Sequence, residues 1–205
     1  MNDKRQFSEA PSRQAYLIVD VRAGDAGPDQ LARALQQQHV ACVLLRRSQG
    51  LVRNLAAAID ACQRDGAAAL LEDDAKLALE VGADGVHLAH AGDLASAEQR
   101  YREARAMLGA GRIVGVSAGL LRHDAMVLAE LGADYVALED VEGADPARLL
   151  EQVAWWGELF EVPCVAWRAR SRAEAVLLAD AGADFVAADS LEILASLTEP
   201  QGAGA

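Results

Sequence analysis

The 205-residue sequence has few basic side chains and no long apolar run. Its 19 lysines and arginines face 31 aspartates and glutamates, which gives a formal net charge of −12 at pH 7. Because phosphate backbones require a basic surface, this balance argues against a nucleic-acid partner. No apolar run approaches the ~20 residues of a membrane helix, and residues 1–14 lack the apolar core of a signal peptide. The sequence therefore predicts a cytoplasmic protein that binds neither nucleic acid nor membrane.

Cysteine is also scarce. Cys42, Cys62 and Cys164 lie far apart in apolar segments, and none belongs to a CxxC or Cys/His spacing that could hold zinc. We interpret all three as reduced, buried, small hydrophobic residues without a chemical role.

Aromatic residues make up only 4% of the chain, whereas the hydrophobic set makes up 52%. A chain this rich in alanine, valine and leucine can bury enough apolar surface to offset its ordering entropy, which excludes low-hydrophobicity disorder. The length fits one domain.

One phrase recurs three times at an interval of 50 residues: Gly-Ala-Asp begins at Gly82, Gly132 and Gly182. A further apolar run lies between successive copies, so the structural unit is about half this period. Each unit has the pattern of a short strand, a loop and an amphipathic helix that ends at glycine. We interpret the phrase as structural: glycine ends the helix, alanine packs closely, and aspartate begins the next strand.

Eight such units fit the chain. The predicted strands are 15–20, 40–45, 67–72, 84–88, 112–117, 134–138, 162–167 and 184–188. The predicted helices are 29–38, 51–64, 74–80, 93–108, 122–131, 146–158, 173–181 and 191–197. Eight alternations in ~200 residues predict an α/β single-domain (β/α)8 TIM barrel over 15–197, with a flexible arm at 1–14 and a flexible tail at 198–205. A doubly wound open sheet is the alternative, but no GxGxxG follows the first strand.

Residues at the carboxyl ends of the strands are the candidate site, because barrels of this class carry their chemistry there. Most of these residues are acidic and form an acidic rim, whereas basic residues follow two of the strands. Asp73 and Asp93 follow neighbouring strands and could hold Mg²⁺ through carboxylate oxygens; alternatively, they and Asp74 cap helices. His87, inside strand four, predicts a buried and hydrogen-bonded imidazole, whereas His90, past the strand end, is better placed for function.

Four segments resemble thiamine phosphate synthases and their thiazole tautomerase relatives: 82–88 (GADGVHL), 113–118 (IVGVSA), 132–135 (GADY) and 162–166 (VPCVA). The resemblance covers nearly the whole chain, from about Tyr16 to Leu194, and implies a (β/α)8 barrel. In its synthase branch, this family uses Mg²⁺ to join a hydroxymethylpyrimidine pyrophosphate to a thiazole phosphate in thiamine biosynthesis, releasing pyrophosphate. The resemblance implies a transferase that binds a phosphorylated small-molecule ligand. The oligomeric state stays open, and a homo-oligomer is one of the alternatives.

The resemblance assigns roles to four positions. Arg46 would face the pyrophosphate, Asp73 would bind the metal, and the Ser117 hydroxyl would contact the pyrophosphate. Asp93 matches the second metal-binding aspartate when one extra residue is allowed.

Two phosphate-binding segments of the family are replaced. After strand six, Glu139, Asp140 and Glu142 stand in place of a segment rich in glycine and proline; after strand seven, Trp167 and Arg168 replace a glycine pair. Glycine lets a phosphate reach backbone N–H groups, and bulky side chains obstruct that approach. Like charges ~4 Å apart also cost about 4 kcal/mol at an effective dielectric near 20. The acidic mouth therefore argues against the ordinary synthase reaction.

Three functions remain open. The first is a synthase with an eroded active site, and the second is a non-catalytic binding or regulatory barrel of the same descent. The third is an enzyme for a less anionic or cationic substrate, with His90 or Glu139 as the acid–base group. The candidate phosphate-binding residues are Arg46, Ser117, Arg168, Arg170 and Ser190.

Overall fold

The computed structural model of the chain describes residues 14–21, 28–47, 55–141, 143 and 145–198. Within these residues, strands and helices alternate eight times: β1 (Gln14–Val21), α1 (Pro28–Gln37), β2 (Val40–Arg47), α2 (Leu55–Arg64), β3 (Ala68–Glu72), α3 (Ala75–Val81), β4 (Gly85–Leu88), α4 (Leu94–Leu108), β5 (Ile113–Gly119), α5 (Arg122–Glu130), β6 (Tyr135–Leu138), α6 (Pro146–Leu159), β7 (Cys164–Ala166), α7 (Arg172–Asp180), β8 (Phe185–Ala188) and α8 (Leu191–Thr198). Residues 1–13 and 199–205 of the expected arm and tail lie outside the described residues, as do 51–54 of the second predicted helix.

The sheet closes on itself. Each strand pairs in parallel with the next, and β8 pairs with β1 through Gln14–Leu17 and Phe185–Ala188. The predicted (β/α)8 barrel is therefore confirmed, and the open-sheet alternative is wrong because its first and last strands would be unpaired edges.

Two apolar layers follow from the alternation of side chains along each strand. On β2, Cys42 and Leu44 belong to the cluster inside the barrel, whereas Val43 and Leu45 pack in the layer between the sheet and the helices. Inside the barrel, Gly115 makes room for an aromatic ring: a Cβ at that position would lie 1.9 Å from the Tyr135 side chain. The lack of a side chain at Gly115 therefore provides the space that the Tyr135 ring occupies.

The Gly-Ala-Asp phrase has the structural role that the sequence predicts. Gly82 ends α3 with φ of 75°, and the alanine that follows it is fully buried. The three aspartates then accept backbone N–H groups at the start of the preceding strands: Asp84 from Ala69 (2.8 Å), Asp134 from Val114 (2.7 Å) and Asp184 from Cys164 (2.9 Å). Each carboxylate thus ties two neighbouring strands together at the amino end of the barrel.

The cysteines also match their prediction. Cys42, Cys62 and Cys164 are free and buried, and burial raises the pKa of both Cys62 and Cys164 to about 12. Thiols with such pKa values are protonated at neutral pH and are poor nucleophiles.

The lengths of the described helices bear on whether the chain could cross a membrane. In the part of the chain that the structure describes, no helix combines the length and the apolarity needed to cross a bilayer. The longest of these helices, α4, has 15 residues and carries arginines and glutamates along its surface.

Candidate ligand site at the carboxyl end of the barrel

A cavity of about 560 Å³ opens where β6, β7 and β8 end. Its apolar wall includes Trp167, Leu149 and Ile193. Its charged lining consists of four carboxylates and two guanidinium groups, from Glu139, Asp140, Glu174, Asp189, Arg168 and Arg170. The cavity is large enough for a small molecule, and its charge is negative, as the acidic rim in the sequence predicts.

A continuous chain of hydrogen bonds runs from the barrel interior to this cavity. The hydroxyls of Tyr16 and Tyr135 lie 3.0 Å apart, and Tyr135 Oη lies 2.9 Å from His87 Nδ1. On the other side of the ring, His87 Nε2 lies 3.2 Å from Ser117 Oγ, which donates to Glu139 Oε2 at 3.2 Å. Tyr16, Tyr135, His87 and Ser117 are buried, and Glu139 is half-buried at the cavity wall. Buried polar atoms from β1, β4, β5 and β6 are thus joined to one carboxylate at the mouth.

His87 is the buried, hydrogen-bonded imidazole that the sequence predicts. It is fully buried, and its ring stacks on Trp167 with the centroids 4.2 Å apart and the planes at 14°. Burial, with a smaller contribution from the Arg100 charge, lowers the pKa of His87 to about 3. The imidazole is therefore neutral at physiological pH and has one donor and one acceptor nitrogen.

Three arginines near the mouth are each paired with a carboxylate of the same chain. Arg46 Nε lies 2.9 Å from Asp20 Oδ1. The two groups form an ion pair, but their geometry is not that of a hydrogen bond. Arg100 reaches back from α4 to form an ion pair with Asp73. The third pair joins Arg170 to Glu174, with 3.1 Å between Nη2 and Oε1. An incoming phosphate would have to compete with these carboxylates for each guanidinium.

Arg168 keeps the backbone shape of a glycine. It has φ of 61°, in the left-handed region that side chains with a Cβ rarely adopt. The resemblance places this position in the glycine pair after strand seven. A large charged side chain therefore lines the cavity from a backbone conformation that glycine adopts more readily.

The two carboxylates assigned to Mg²⁺ are engaged by donors of the same chain. Asp73 Oδ1 accepts the Ala89 N–H at 2.9 Å and also receives Arg100. Both oxygens of Asp93 are used at the start of α4, by the N–H and the hydroxyl of Ser96 at 2.9 and 2.8 Å. Among the described residues there is no group of three or more histidine, cysteine, aspartate or glutamate side chains that could hold a metal. Mg²⁺ is usually held by one or two carboxylates together with waters and substrate phosphates, and in this structure Arg100 would compete with such an ion for Asp73.

The helix-cap interpretation holds for two of the three aspartates. Asp74 accepts the Leu77 N–H as the N-cap of α3, and Asp93 caps α4. Asp73 does not cap a helix; its backbone has φ of 57° and its side chain joins β3 to the loop after β4.

His90 and Ser190 lie apart from the cavity lining. His90 lines a small recess with Asp93 and Ser117, and its Nδ1 accepts the Gly92 N–H at 3.3 Å. Ser190 accepts the Glu192 N–H at 3.2 Å in the first turn of α8. Hence the two candidate acid–base residues, His90 and Glu139, line different cavities.

The sequence did not reveal the polar partners inside the barrel. Tyr16 and Tyr135 fit an apolar strand pattern equally well, and their hydroxyl contact joins residues 119 positions apart. The sequence also did not indicate that Arg100 pairs with Asp73, since an arginine on a predicted helix is ordinarily solvent-exposed. Their roles depend on barrel closure and on the position of α4.

The fold and the cavity together define a (β/α)8 barrel with a cavity of small-molecule size at the carboxyl ends of its strands. The sequence profile of the thiamine monophosphate synthase family matches residues 15–190. The chain therefore belongs to that family, as the four sequence segments indicate.

Similar proteins agree with this assignment. The thiamine-phosphate synthase of Rhodospirillum centenum is 40% identical over 149 residues, covering 66% of this chain and 67% of that protein. The thiamine-phosphate synthase of Erythrobacter litoralis is 35% identical over 174 residues and 78% of each chain. Among solved structures, thiamine phosphate pyrophosphorylase from Pyrococcus furiosus superimposes with a TM-score of 0.69 over 92% of this chain and 94% of its own. At 20% identity, this last likeness shows the fold alone.

Proposed function

We propose that this chain is a thiamine phosphate synthase-like protein that binds a small molecule of the thiamine type in its mouth cavity, without the metal-dependent coupling reaction. The observation that carries this proposal is the pairing of Arg46, Arg100 and Arg170 with carboxylates of the same chain. These pairs occupy three guanidinium groups, and Arg168, the other arginine that lines the cavity, stands against the carboxylates of Glu139, Asp140 and Asp189.

Ligands of different charge meet different electrostatic repulsion in the cavity. A phosphorylated ligand in the cavity would face the carboxylates of Glu139, Asp140 and Asp189. Each like-charge pair at ~4 Å costs about 4 kcal/mol at an effective dielectric near 20, before any arginine is detached from its partner. A neutral or cationic ligand avoids this repulsion and can still use the apolar wall formed by Trp167 and Leu149.

Thermal-shift measurements test the proposal with thiamine, thiamine monophosphate and pyrophosphate, each with and without Mg²⁺. A ligand that binds the folded chain stabilises it by RT ln(1 + [L]/Kd), or about 2.7 kcal/mol at a hundredfold excess over Kd. We expect thiamine to raise Tm more than its phosphate does, and Mg²⁺ to have no effect. A flat response to all three compounds at millimolar concentration would refute the proposal.

A second candidate is the synthase reaction of the family, joining the pyrimidine pyrophosphate to the thiazole phosphate. One observation favours it: Arg46 Nε is buried and, despite its ion pair with Asp20, makes no hydrogen bond among the described residues, at the position that the resemblance assigns to the pyrophosphate. The matching assay measures pyrophosphate release from the two precursors with Mg²⁺. Turnover that is lost in Arg46→Ala establishes this candidate, and release no faster than the blank eliminates it.

A further inference from the structure

The hydrogen-bond chain behind the cavity has a direction. An ionised Glu139 can only accept, so the single hydroxyl hydrogen of Ser117 points to it. Ser117 Oγ must then accept from His87, which places the imidazole hydrogen on Nε2. Nδ1 is left as the acceptor for the Tyr135 hydroxyl, and Tyr135 in turn accepts from Tyr16. Every hydrogen of the chain therefore points towards the mouth.

We propose that Tyr16, Tyr135, His87 and Ser117 are positioning residues that hold Glu139 as an oriented, ionised carboxylate, and that Glu139 binds the cationic group of the ligand. This inference rests on the proposed function, which supplies a small-molecule ligand for the cavity. It adds the chemical class of that ligand, an organic cation such as a charged ring nitrogen, and the residue that recognises it.

Glu139 differs from the other carboxylates of the cavity. Asp140 accepts the backbone N–H groups of Gly143 and Asp145 at 3.1 and 2.9 Å, which fixes its own loop. Glu174 receives the side chain and the backbone N–H of Arg170. Asp189 is exposed to solvent. Within the described residues, only Glu139 combines partial burial at the cavity wall with a donor from inside the barrel.

The positioning residues add orientation without adding charge. Burial lowers the pKa of His87 to about 3 and raises the pKa values of Tyr16 and Tyr135 well above the ordinary range. At neutral pH the imidazole and both phenols are therefore uncharged. Aligned hydrogen bonds in a low-dielectric interior polarise one another, so the donor end of the chain lies against Glu139 and orients its carboxylate.

The tautomer of His87 can be measured without any ligand. In ¹⁵N-labelled protein at pH 7, long-range ¹H–¹⁵N correlation spectra distinguish a protonated ring nitrogen from an unprotonated one. We expect a hydrogen on Nε2 and none on Nδ1. A hydrogen on Nδ1 would reverse the chain and overturn the proposed orientation of Glu139, whatever the cavity binds.

The ligand class is tested by titrating wild type and variants with two probes, thiamine as the cation and 4-methyl-5-(2-hydroxyethyl)thiazole as the neutral compound. Glu139→Gln should weaken thiamine binding about tenfold and the neutral thiazole less than twofold. Ser117→Ala, which removes only the donor, should weaken thiamine binding a few-fold. Glu158→Gln changes an exposed glutamate of α6 and serves as the matched control, with no change for either probe.

The possible failures are distinguishable. If wild type binds neither probe, both the proposed function and the cation site are refuted. If thiamine binds equally well to wild type and Glu139→Gln, the proposed function stands and this inference is refuted. Equal losses for the two probes would also refute it, because they would show that Glu139 contributes shape rather than charge.

Discussion

Replacing Arg168 with glycine should stabilise the protein, although it removes a side chain from the mouth. Arg168 is exposed and has φ of 61°. In this left-handed conformation the Cβ of an L-residue lies too close to the following carbonyl oxygen, and glycine has no Cβ. The substitution relieves this strain without opening a hole in the core.

The size of the effect follows from two opposing contributions. A left-handed residue other than glycine costs roughly 1–2 kcal/mol, while the greater freedom of glycine in the unfolded chain costs about 0.5–1 kcal/mol. The difference lies between about 0 and 1.5 kcal/mol, and we expect Arg168→Gly to raise the free energy of unfolding by about 0.75 kcal/mol, the middle of this range. In a chain of this length, 1 kcal/mol corresponds to roughly 2–4 °C in Tm.

Urea denaturation of wild type, Arg168→Gly and Arg168→Ala provides the measurement. Alanine removes the charge and the long side chain but keeps the Cβ, so its backbone remains strained. Only the glycine variant should shift the denaturation midpoint upwards with an unchanged m-value. Equal stabilisation by alanine and glycine would refute the reasoning, since the gain would then come from removing the charge.

Three further predictions concern stability. Asp134→Ala should cost about 2 kcal/mol, because it leaves the buried N–H of Val114 without its 2.7 Å partner; urea denaturation measures this loss. The pKa of His87 is about 3 in the folded protein against an ordinary 6.5, so the unfolded chain binds more protons below pH 6.5 and stability falls as the pH drops towards 3. Between pH 7 and pH 5 wild type should therefore lose about 2 kcal/mol more than His87→Gln in urea titrations at both pH values. Gly115→Ala should cost about 3 kcal/mol or more, since its Cβ would lie 1.9 Å from the Tyr135 ring, and thermal unfolding should show the loss.

Matched controls separate these effects from general damage. Asp60→Ala changes an exposed aspartate of α2 and should cost far less than Asp134→Ala. Gly111→Ala, whose added Cβ meets no atom within 4 Å, should be tolerated where Gly115→Ala is not. Parallel pH dependence in wild type and His87→Gln would contradict the assignment of a neutral buried imidazole.

The secondary structure could be predicted because its signals are local and repeated. The phrase at Gly82, Gly132 and Gly182 marks the end of a helix and the start of a strand, and barrel closure follows from eight such alternations. The predicted and observed ends differ by a residue or two. Asp84 and Asp134, for example, lie one position before their strands, where their side chains accept N–H groups of the neighbouring strand.

The site could be predicted only in part, because its contacts depend on register around the closed barrel. The sequence places Glu139, Arg168 and Arg170 after neighbouring strands, and the structure puts all three on one cavity. It could not show that Arg100 on α4 reaches Asp73 and forms an ion pair with the aspartate assigned to the metal. Nor could it show the contact between Tyr16 and Tyr135, since β1 and β6 are not adjacent in the sheet.

The net charge of −12 also has a long-range consequence for the ligand. The Gly-Ala-Asp carboxylates lie at the amino end of the barrel and are tied to backbone N–H groups, whereas the cavity at the other end carries four carboxylates against two arginines. An excess of one sign around a cleft attracts ions of the opposite sign, and salt screens this attraction over a Debye length of about 10 Å at 0.1 M. Association with thiamine should therefore slow as salt is added, while association with pyrophosphate, if any is seen, should become faster. Stopped-flow rates at 20 and 200 mM salt measure both slopes, and a salt-independent thiamine rate would show that the acidic mouth does not steer the ligand.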